Sequence, residues 1–307
     1  MTDALRLIDI DHVRLYVGNA KQVAHFYASA FGFRIHQFSD LTTGDRDEAS
    51  YLLTQGNIRL LLTTGLHKDH AAQAEVMRYG DGIKDVAFTV DDSVAAYEQA
   101  MKNGAKSACE PHEMTDENGT VVTSGIKTYG RVVHSFVSRS DKYSLQENGS
   151  STFMPGFQNF PACAINSYNE KHPCGLMFVD HVVGNVGTNQ MNTWVKWYED
   201  VLGFKLFKHF DDKDISTDYS ALMSKVMDSG FGVIKMPINE PAEGKRKSQI
   251  QEYLEWHDMT PGVQHLALRT DDELKSVAAL CDRGVDFLRI PDEYYDEVWT
   301  RVEGLMG

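Results

Sequence analysis

The segment Val179-Asp180-His181-Val182-Val183-Gly184-Asn185-Val186 repeats a motif from near the start of the chain, where its Asp-His-Val core already occurs as Asp11-His12-Val13. Further along, Gly262-Val263-Gln264-His265-Leu266-Ala267 matches Gly82-Ile83-Lys84-Asp85-Val86-Ala87 in the same order. The offset between matching residues grows slowly along the chain, as loop insertions between two related modules would produce. The sequence therefore predicts one structural unit written twice, and only the second copy carries histidines at both matching positions.

Each copy shows the same order of secondary-structure signals. Alternating strand patterns at 9–17 and 177–183 precede helical spacing at 23–31 and 191–201, with Gly32 and Gly203 where a helix C-cap belongs. Further strands are predicted at 51–53 and 58–63 in the first copy and at 220–226 and 232–237 in the second. A new strand-helix pair then begins with a strand at 85–90 in the first copy and at 263–270 in the second. We predict an α+β protein of tandem β-α-β-β-β units whose last unit is incomplete.

The stretch from residue 144 to residue 173 reads as the connection between the halves, since it is polar and then irregular, with several prolines and glycines. We place the division there, with a first half at 1–158 and a second half at 159–307.

Composition excludes several classes of function. A formal net charge of −14 over 307 residues argues against nucleic acid and anionic membranes as partners. The sequence has no apolar run long enough for a membrane span and no signal-peptide pattern at its start. Its four scattered cysteines favour reduced thiols. We therefore expect a cytoplasmic protein.

The two histidines of the second copy are the candidate metal ligands. His181 lies on the opening strand of that half and His265 on a later strand, and facing strands of one curved sheet can bring two such rings together. Imidazole suits iron, zinc, copper and nickel, and two histidines plus one carboxylate form the facial triad of non-haem Fe(II) oxygenases. His12 occupies the same repeat position without a histidine partner, so we interpret it as structural.

The second half resembles the 4-hydroxyphenylpyruvate dioxygenase family. The motifs that carry this resemblance stand in the family's order and spacing, and they are the His181 and His265 segments already quoted, Tyr219-Ser220-Ala221-Leu222-Met223-Ser224-Lys225-Val226, Pro237-Ile238-Asn239-Glu240-Pro241-Ala242-Glu243-Gly244 and Lys245-Arg246-Lys247-Ser248-Gln249-Ile250. The first half resembles the family's metal-free half, including Tyr79-Gly80-Asp81-Gly82. The resemblance covers nearly the whole chain.

The resemblance implies a vicinal oxygen chelate fold, in which curled, open barrels of β-α-β-β-β units enclose the metal. It implies Fe(II) bound by His181 and His265, and a substrate pocket formed by Ser220, Asn239, Gln249 and Gln264. The family's third ligand is a glutamate, which the resemblance places beyond Gly307, so we expect the chain to be part of a longer enzyme.

The implied activity is that of a non-haem Fe(II), 2-keto-acid-dependent dioxygenase. It converts 4-hydroxyphenylpyruvate and O2 to homogentisate with loss of CO2, in tyrosine and phenylalanine catabolism. The resemblance also leads us to expect a homo-oligomer, either a dimer or a tetramer.

Three alternatives stay open. Hydroxymandelate synthase shares the fold, iron and substrate, although the Pro237–Pro241 segment favours the dioxygenase. An extradiol ring-cleaving dioxygenase of the same fold is disfavoured by the pocket motifs. A non-catalytic, shortened module that binds an aromatic keto acid, or that assembles with full-length subunits, fits the missing glutamate.

Overall fold

The computed structural model describes residues 5–144, 152–210, 222–230, 232–242 and 247–289. The strands are β1 Asp9–Tyr16, β2 Arg34–Ser39, β3 Glu48–Gln55, β4 Ile58–Gly65, β5 Gly82–Thr89, β6 Lys106–Asp116, β7 Gly119–Lys127, β8 Val133–Arg139, β9 Gln158–Asn159, β10 Leu176–Asn185, β11 Lys205–Phe210, β12 Leu222–Asp228, β13 Lys235–Pro241 and β14 Gly262–Thr270. The helices are α1 Ala20–Phe31, α2 Ala71–Tyr79, α3 Ser93–Lys102, α4 Ala164–Lys171, α5 Met191–Leu202, α6 Gln249–Trp256 and α7 Glu273–Asp282, and a short 3₁₀ turn spans Asp141–Tyr143.

The first half is two copies of one unit joined side by side. Its sheet has the strand order β6-β7-β8-β5-β1-β4-β3-β2-β9, so β1-α1-β2-β3-β4 and β5-α3-β6-β7-β8 meet where β1 and β5 run antiparallel. The two units are thus related across the β1–β5 pair, and the predicted tandem of β-α-β-β-β units is confirmed.

The second half repeats the first unit and begins another. Its sheet has the order β11-β12-β13-β10-β14, in which β10-α5-β11-β12-β13 forms a whole unit and β14-α7 forms the start of the next. β10 and β14 pair as β1 and β5 do, which places the two candidate ligand strands side by side. In the described part of the chain, β14 pairs with β10 alone and lies at the edge of this sheet.

Helix ends follow local chemistry. Helix α1 begins after Asn19, whose side chain accepts a hydrogen bond from the backbone N–H of Gln22 at 3.1 Å. It ends at Gly32, and α5 ends at Gly203, with φ of 74° and 70°. This left-handed conformation favours glycine because a side chain would be strained there, and both predicted C-caps are confirmed.

One apolar core runs through both halves. It joins residues of the first half, such as Leu53 and Phe136, to Val182, Tyr198 and Met236 of the second. None of the helices in the described ranges has the length and apolar character that crossing a bilayer requires.

The described part of the connection between the halves, residues 152–173, contains β9 and α4, which the sequence did not predict. The side chain of Asn166 bonds the backbone N–H and carbonyl of Ile35 at 3.0 and 2.9 Å, and Asn169 donates to the carbonyls of Ala28 and Phe33. Helix α4 is therefore held against the first half, and the division between residues 158 and 159 stays a prediction.

Candidate metal centre

Two β-bulges between β10 and β14 shape the candidate metal centre. In the pairing of these strands, Asp180 is the extra residue immediately before His181, and Gln264 is the extra residue immediately before His265. A bulge interrupts the alternation of side chains and redirects one of them. In each bulge, the polar side chain of the preceding residue therefore lies next to the histidine ring.

Both histidines are locked in one tautomer by that neighbour. The Nδ1 atom of His181 lies 2.8 Å from Oδ2 of Asp180, and Nδ1 of His265 lies 2.9 Å from Oε1 of Gln264. Carboxylate and amide oxygens only accept hydrogen bonds, so each Nδ1 carries the hydrogen and donates it. The lone pair of each ring is then on Nε2, as it is in histidines that bind a metal.

The two rings stand together on neighbouring strands. Their centroids are 6.0 Å apart, with an angle of 73° between the ring planes. His181 is half-buried and His265 is exposed, so the pair lies at the surface of the described structure. Two imidazoles whose Nε2 atoms make no bond to a described residue suit iron, zinc, copper or nickel.

Neighbouring groups shift the pKa values of Asp180 and of His265. Hydrogen bonds from His181 and from Lys235, whose Nζ lies 2.8 Å from Oδ1, lower the pKa of Asp180 and keep its carboxylate ionised. Although the surface of His265 is exposed overall, the protein packed around it lowers its pKa, and the nearby His181 lowers it further. A lowered pKa keeps this imidazole unprotonated, which a metal ligand requires.

No third ligand joins the pair among the described residues, since no group of three or more His, Cys, Asp or Glu side chains there could hold a metal ion. Among the described residues, the two histidines are thus the candidate metal ligands at this centre. The third ligand expected from the resemblance stays a prediction.

A buried cluster of polar side chains lies on β10, β12 and β13, in the same sheet as the two histidines. In the strand register, Asn239 of β13 lies opposite Asn185 of β10 on one side and Ser224 of β12 on the other, and all three side chains are buried. Both amide atoms of Asn185 and Oδ1 of Asn239 have no hydrogen-bond partner among the described residues. Unpartnered buried polar atoms are costly, so this cluster is a candidate to bind a ligand or ordered water.

The remaining predicted pocket residues fall in different places. Gln264 contacts His265 through the hydrogen bond described above. Gln249 is the first residue of α6 and is exposed, with no described contact to the histidines. Ser220 lies outside the described residues. The pocket role of each stays a prediction.

The sequence did not predict the hydrogen bonds of Asp180 and Lys235 beside His181, nor the buried, unpartnered amide of Asn185. The repeated Asp-His pair was the available signal for Asp180, and the buried position of Asn185 could be read only from the strand register.

These features define a class of protein. The family model for the Glyoxalase/Bleomycin resistance protein/Dioxygenase superfamily matches residues 9–128 and 178–302, one stretch in each half. A solved structure, that of a mutant 4-hydroxymandelate synthase from Streptomyces coelicolor, superposes with a TM-score of 0.78 at 26% identity, over 95% of this chain and 79% of that one. The predicted vicinal oxygen chelate fold is confirmed.

Curated relatives narrow the class. A 4-hydroxyphenylpyruvate dioxygenase from Dictyostelium discoideum is 43% identical over 297 residues, which cover 95% of this chain and 78% of the relative. One from Tetrahymena thermophila is 42% identical over 299 residues, covering 95% and 72%. The chain belongs to the 4-hydroxyphenylpyruvate dioxygenase family.

Proposed function

We propose that this protein converts 4-hydroxyphenylpyruvate and O2 to homogentisate and CO2, using Fe(II) held by His181 and His265. The observation that carries the proposal is the pair of histidines, each locked by its preceding residue so that Nε2 is free. Family membership supplies the substrate class, and the donor set fits a non-haem iron centre.

His181 and His265 would hold Fe(II) through their Nε2 atoms. Fe(II) bound there would supply the redox chemistry by which dioxygen oxidises and decarboxylates a 2-keto acid. A third protein ligand, which the resemblance makes a glutamate, would come from outside the described residues. Asp180, itself held by Lys235, would keep the ring of His181 oriented so that its Nε2 can bind the metal.

The amide side chains orient the aromatic substrate. Oε1 of Gln264 is engaged by His265, which leaves its amide N–H groups to donate to a substrate oxygen. Asn239 offers a buried Oδ1 without a described partner, which can accept from a phenol hydroxyl. Neutral amides hold such a group without titrating, and Gln249 and Ser220 complete the proposed pocket on the basis of the resemblance.

The wider setting follows from the same resemblance. We place the reaction in tyrosine and phenylalanine catabolism, with a cytoplasmic location and a homo-oligomeric assembly, dimer or tetramer.

Oxygen uptake tests the proposal. The protein would be loaded with Fe(II) anaerobically, supplied with ascorbate and 4-hydroxyphenylpyruvate, and its products identified by mass spectrometry. Uptake coupled to homogentisate, and lost in His181→Ala and His265→Ala, supports the proposal.

Two other outcomes contradict it in different ways. Formation of 4-hydroxymandelate would identify a hydroxymandelate synthase, an alternative that the similarity to that enzyme's solved structure keeps in view. Binding of the keto acid without any oxygen uptake would favour a non-catalytic module.

A further inference from the structure

The first half contains a second site built on the same geometry as the metal centre. In the pairing of β1 with β5, Asp11 is the extra residue before His12, and Lys84 is the extra residue before Asp85. These are the positions that Asp180 with His181 and Gln264 with His265 occupy in the second half. Both halves thus direct four polar side chains from the same two bulges.

The histidine of this second site is fixed as firmly as its counterpart. Nδ1 of His12 lies 2.7 Å from Oδ1 of Asp11, and His12 is only 4% exposed. Arg139 donates to the same carboxylate at 2.8 and 3.1 Å. Burial alone would raise the pKa of Asp11, but Arg139 and His12 hold it well below its usual range. Nε2 of His12 has no bond to any described residue.

His12 lines a cavity of about 450 Å³ on this face of the first sheet. That volume lies within the range of small-molecule sites. Its polar lining residues include Arg14, Lys84 and Asp85, and its apolar lining residues include Leu61, Val137 and Phe157. A cavity lined by both charged and apolar side chains suits a small molecule with a charged group and an apolar body.

The carboxylates that line the cavity already accept hydrogen bonds from the protein. Both oxygens of Asp85 are bonded by Ser135, through its backbone N–H at 3.0 Å and its hydroxyl at 2.5 Å. Both oxygens of Glu48 accept from Arg14 at 2.6 and 2.7 Å. The carboxylates are therefore poorly placed to recognise a cation.

Donors, in contrast, remain available. Arg14 uses Nε and Nη2 for Thr63 and Glu48, and Nη1 makes no bond to a described residue. Lys84 donates to Glu75 and to the carbonyl of Arg131, which leaves one of the three hydrogens of its ammonium group. Spare donors on two cations favour an anionic ligand.

We propose that this cavity binds a small monocarboxylate with an apolar or aromatic body, its carboxylate on Arg14 and Lys84 and its body against Leu61, Val137 and Phe157. The site is separate from the metal centre, and the inference does not depend on the proposed function. No bond is made or broken, so the expected role is binding alone.

Cys109 gives a local readout, because its exposed thiol lines the same cavity, whereas the exposed Cys281 lies on α7 and does not line it. Phenylacetate would serve as the probe, and carbamidomethylation by iodoacetamide would be followed peptide by peptide. Saturating phenylacetate should slow the reaction of Cys109 at least threefold and leave Cys281 unchanged.

Two variants localise the effect. Ala108, an exposed residue of β6 that lines the cavity, can be changed to Trp to fill the space without altering charge, and Ala108→Trp should weaken phenylacetate binding at least tenfold in calorimetry. Arg14→Met should do the same, whereas His181→Ala should keep the wild-type affinity. Absence of Cys109 protection at millimolar phenylacetate, or unchanged affinity in folded Ala108→Trp, would overturn the proposal. So would loss of binding in His181→Ala.

Discussion

The carboxylate of Asp180 should control how tightly the second half binds metal. It accepts from Nδ1 of His181 and from Nζ of Lys235, both at 2.8 Å, on its two separate oxygens. In Asp180→Asn, an amide NH2 replaces one carboxylate oxygen and faces a donor, so one of these bonds is lost and the remaining acceptor is uncharged. The ring of His181 would then lose its fixed tautomer or its orientation.

The size of the effect follows from the role of this partner. Removing the acceptor behind a metal-binding histidine weakens metal affinity by about 10–100-fold, or roughly 1.4–2.7 kcal/mol. Co(II), a spectroscopic substitute for Fe(II), would be titrated anaerobically and its d–d bands followed. Asp180→Asn should shift the dissociation constant upward by that factor.

A matched control is available on the surface. Asp200 forms an ion pair of the same length with Lys196, at 2.8 Å on α5. Asp200→Asn makes the same chemical change away from the histidines and should leave Co(II) affinity unaltered. Equal affinity in Asp180→Asn and Asp200→Asn would refute the claim that Asp180 strengthens metal binding through His181.

Further predictions concern the buried junction of the halves. Tyr198→Phe removes the hydroxyl that lies 2.7 Å from Nε2 of buried His134, and should lower the free energy of unfolding in urea by about 1–3 kcal/mol. The half-exposed Tyr168 provides the control, and an equal loss of stability in Tyr168→Phe would contradict this prediction. Burial lowers the pKa of His134 to about 4, so the unfolded chain alone takes up its proton between pH 6.5 and about 4. The free energy of unfolding should therefore fall as pH falls through that window, with His134 contributing at most about 3 kcal/mol. His134→Gln should make stability less dependent on pH there, and an unchanged pH dependence would contradict a buried, neutral His134. Gly184→Ala would place a Cβ 2.5 Å from the Tyr129 ring and should lower the free energy of unfolding by about 1–3 kcal/mol. Gly18→Ala, whose Cβ would have its nearest neighbour at 3.7 Å, should leave stability nearly unchanged. Similar melting temperatures for the two variants would refute the close packing at Gly184.

The duplication could be predicted from sequence because repeated motifs survive loop insertions. The Asp-His pairs, the helical spacing and the C-cap glycines Gly32 and Gly203 indicated the order of elements, and the structure confirms that order. His181 and His265 could be paired for the same reason, since equivalent strands of the repeat are neighbours in the sheet.

The rest depended on register, which residue periodicity does not reveal. A bulge adds one residue without changing the hydrophobic pattern much, so the places of Asp180 and Gln264 beside the histidines were not foreseeable. The pairing of Asn185 with Asn239 is equally a matter of strand register. Helix α4 was missed because it is short and lies among prolines and glycines, and its fixed position comes from tertiary bonds of Asn166 and Asn169.

Iron K-edge X-ray absorption on the anaerobically Fe(II)-loaded protein would count the histidine rings bound to the metal. Multiple scattering from two imidazole rings is predicted, falling to one ring in His265→Ala. A spectrum without imidazole scattering, or one that His265→Ala leaves unchanged, would contradict the assignment of His181 and His265 as the iron ligands.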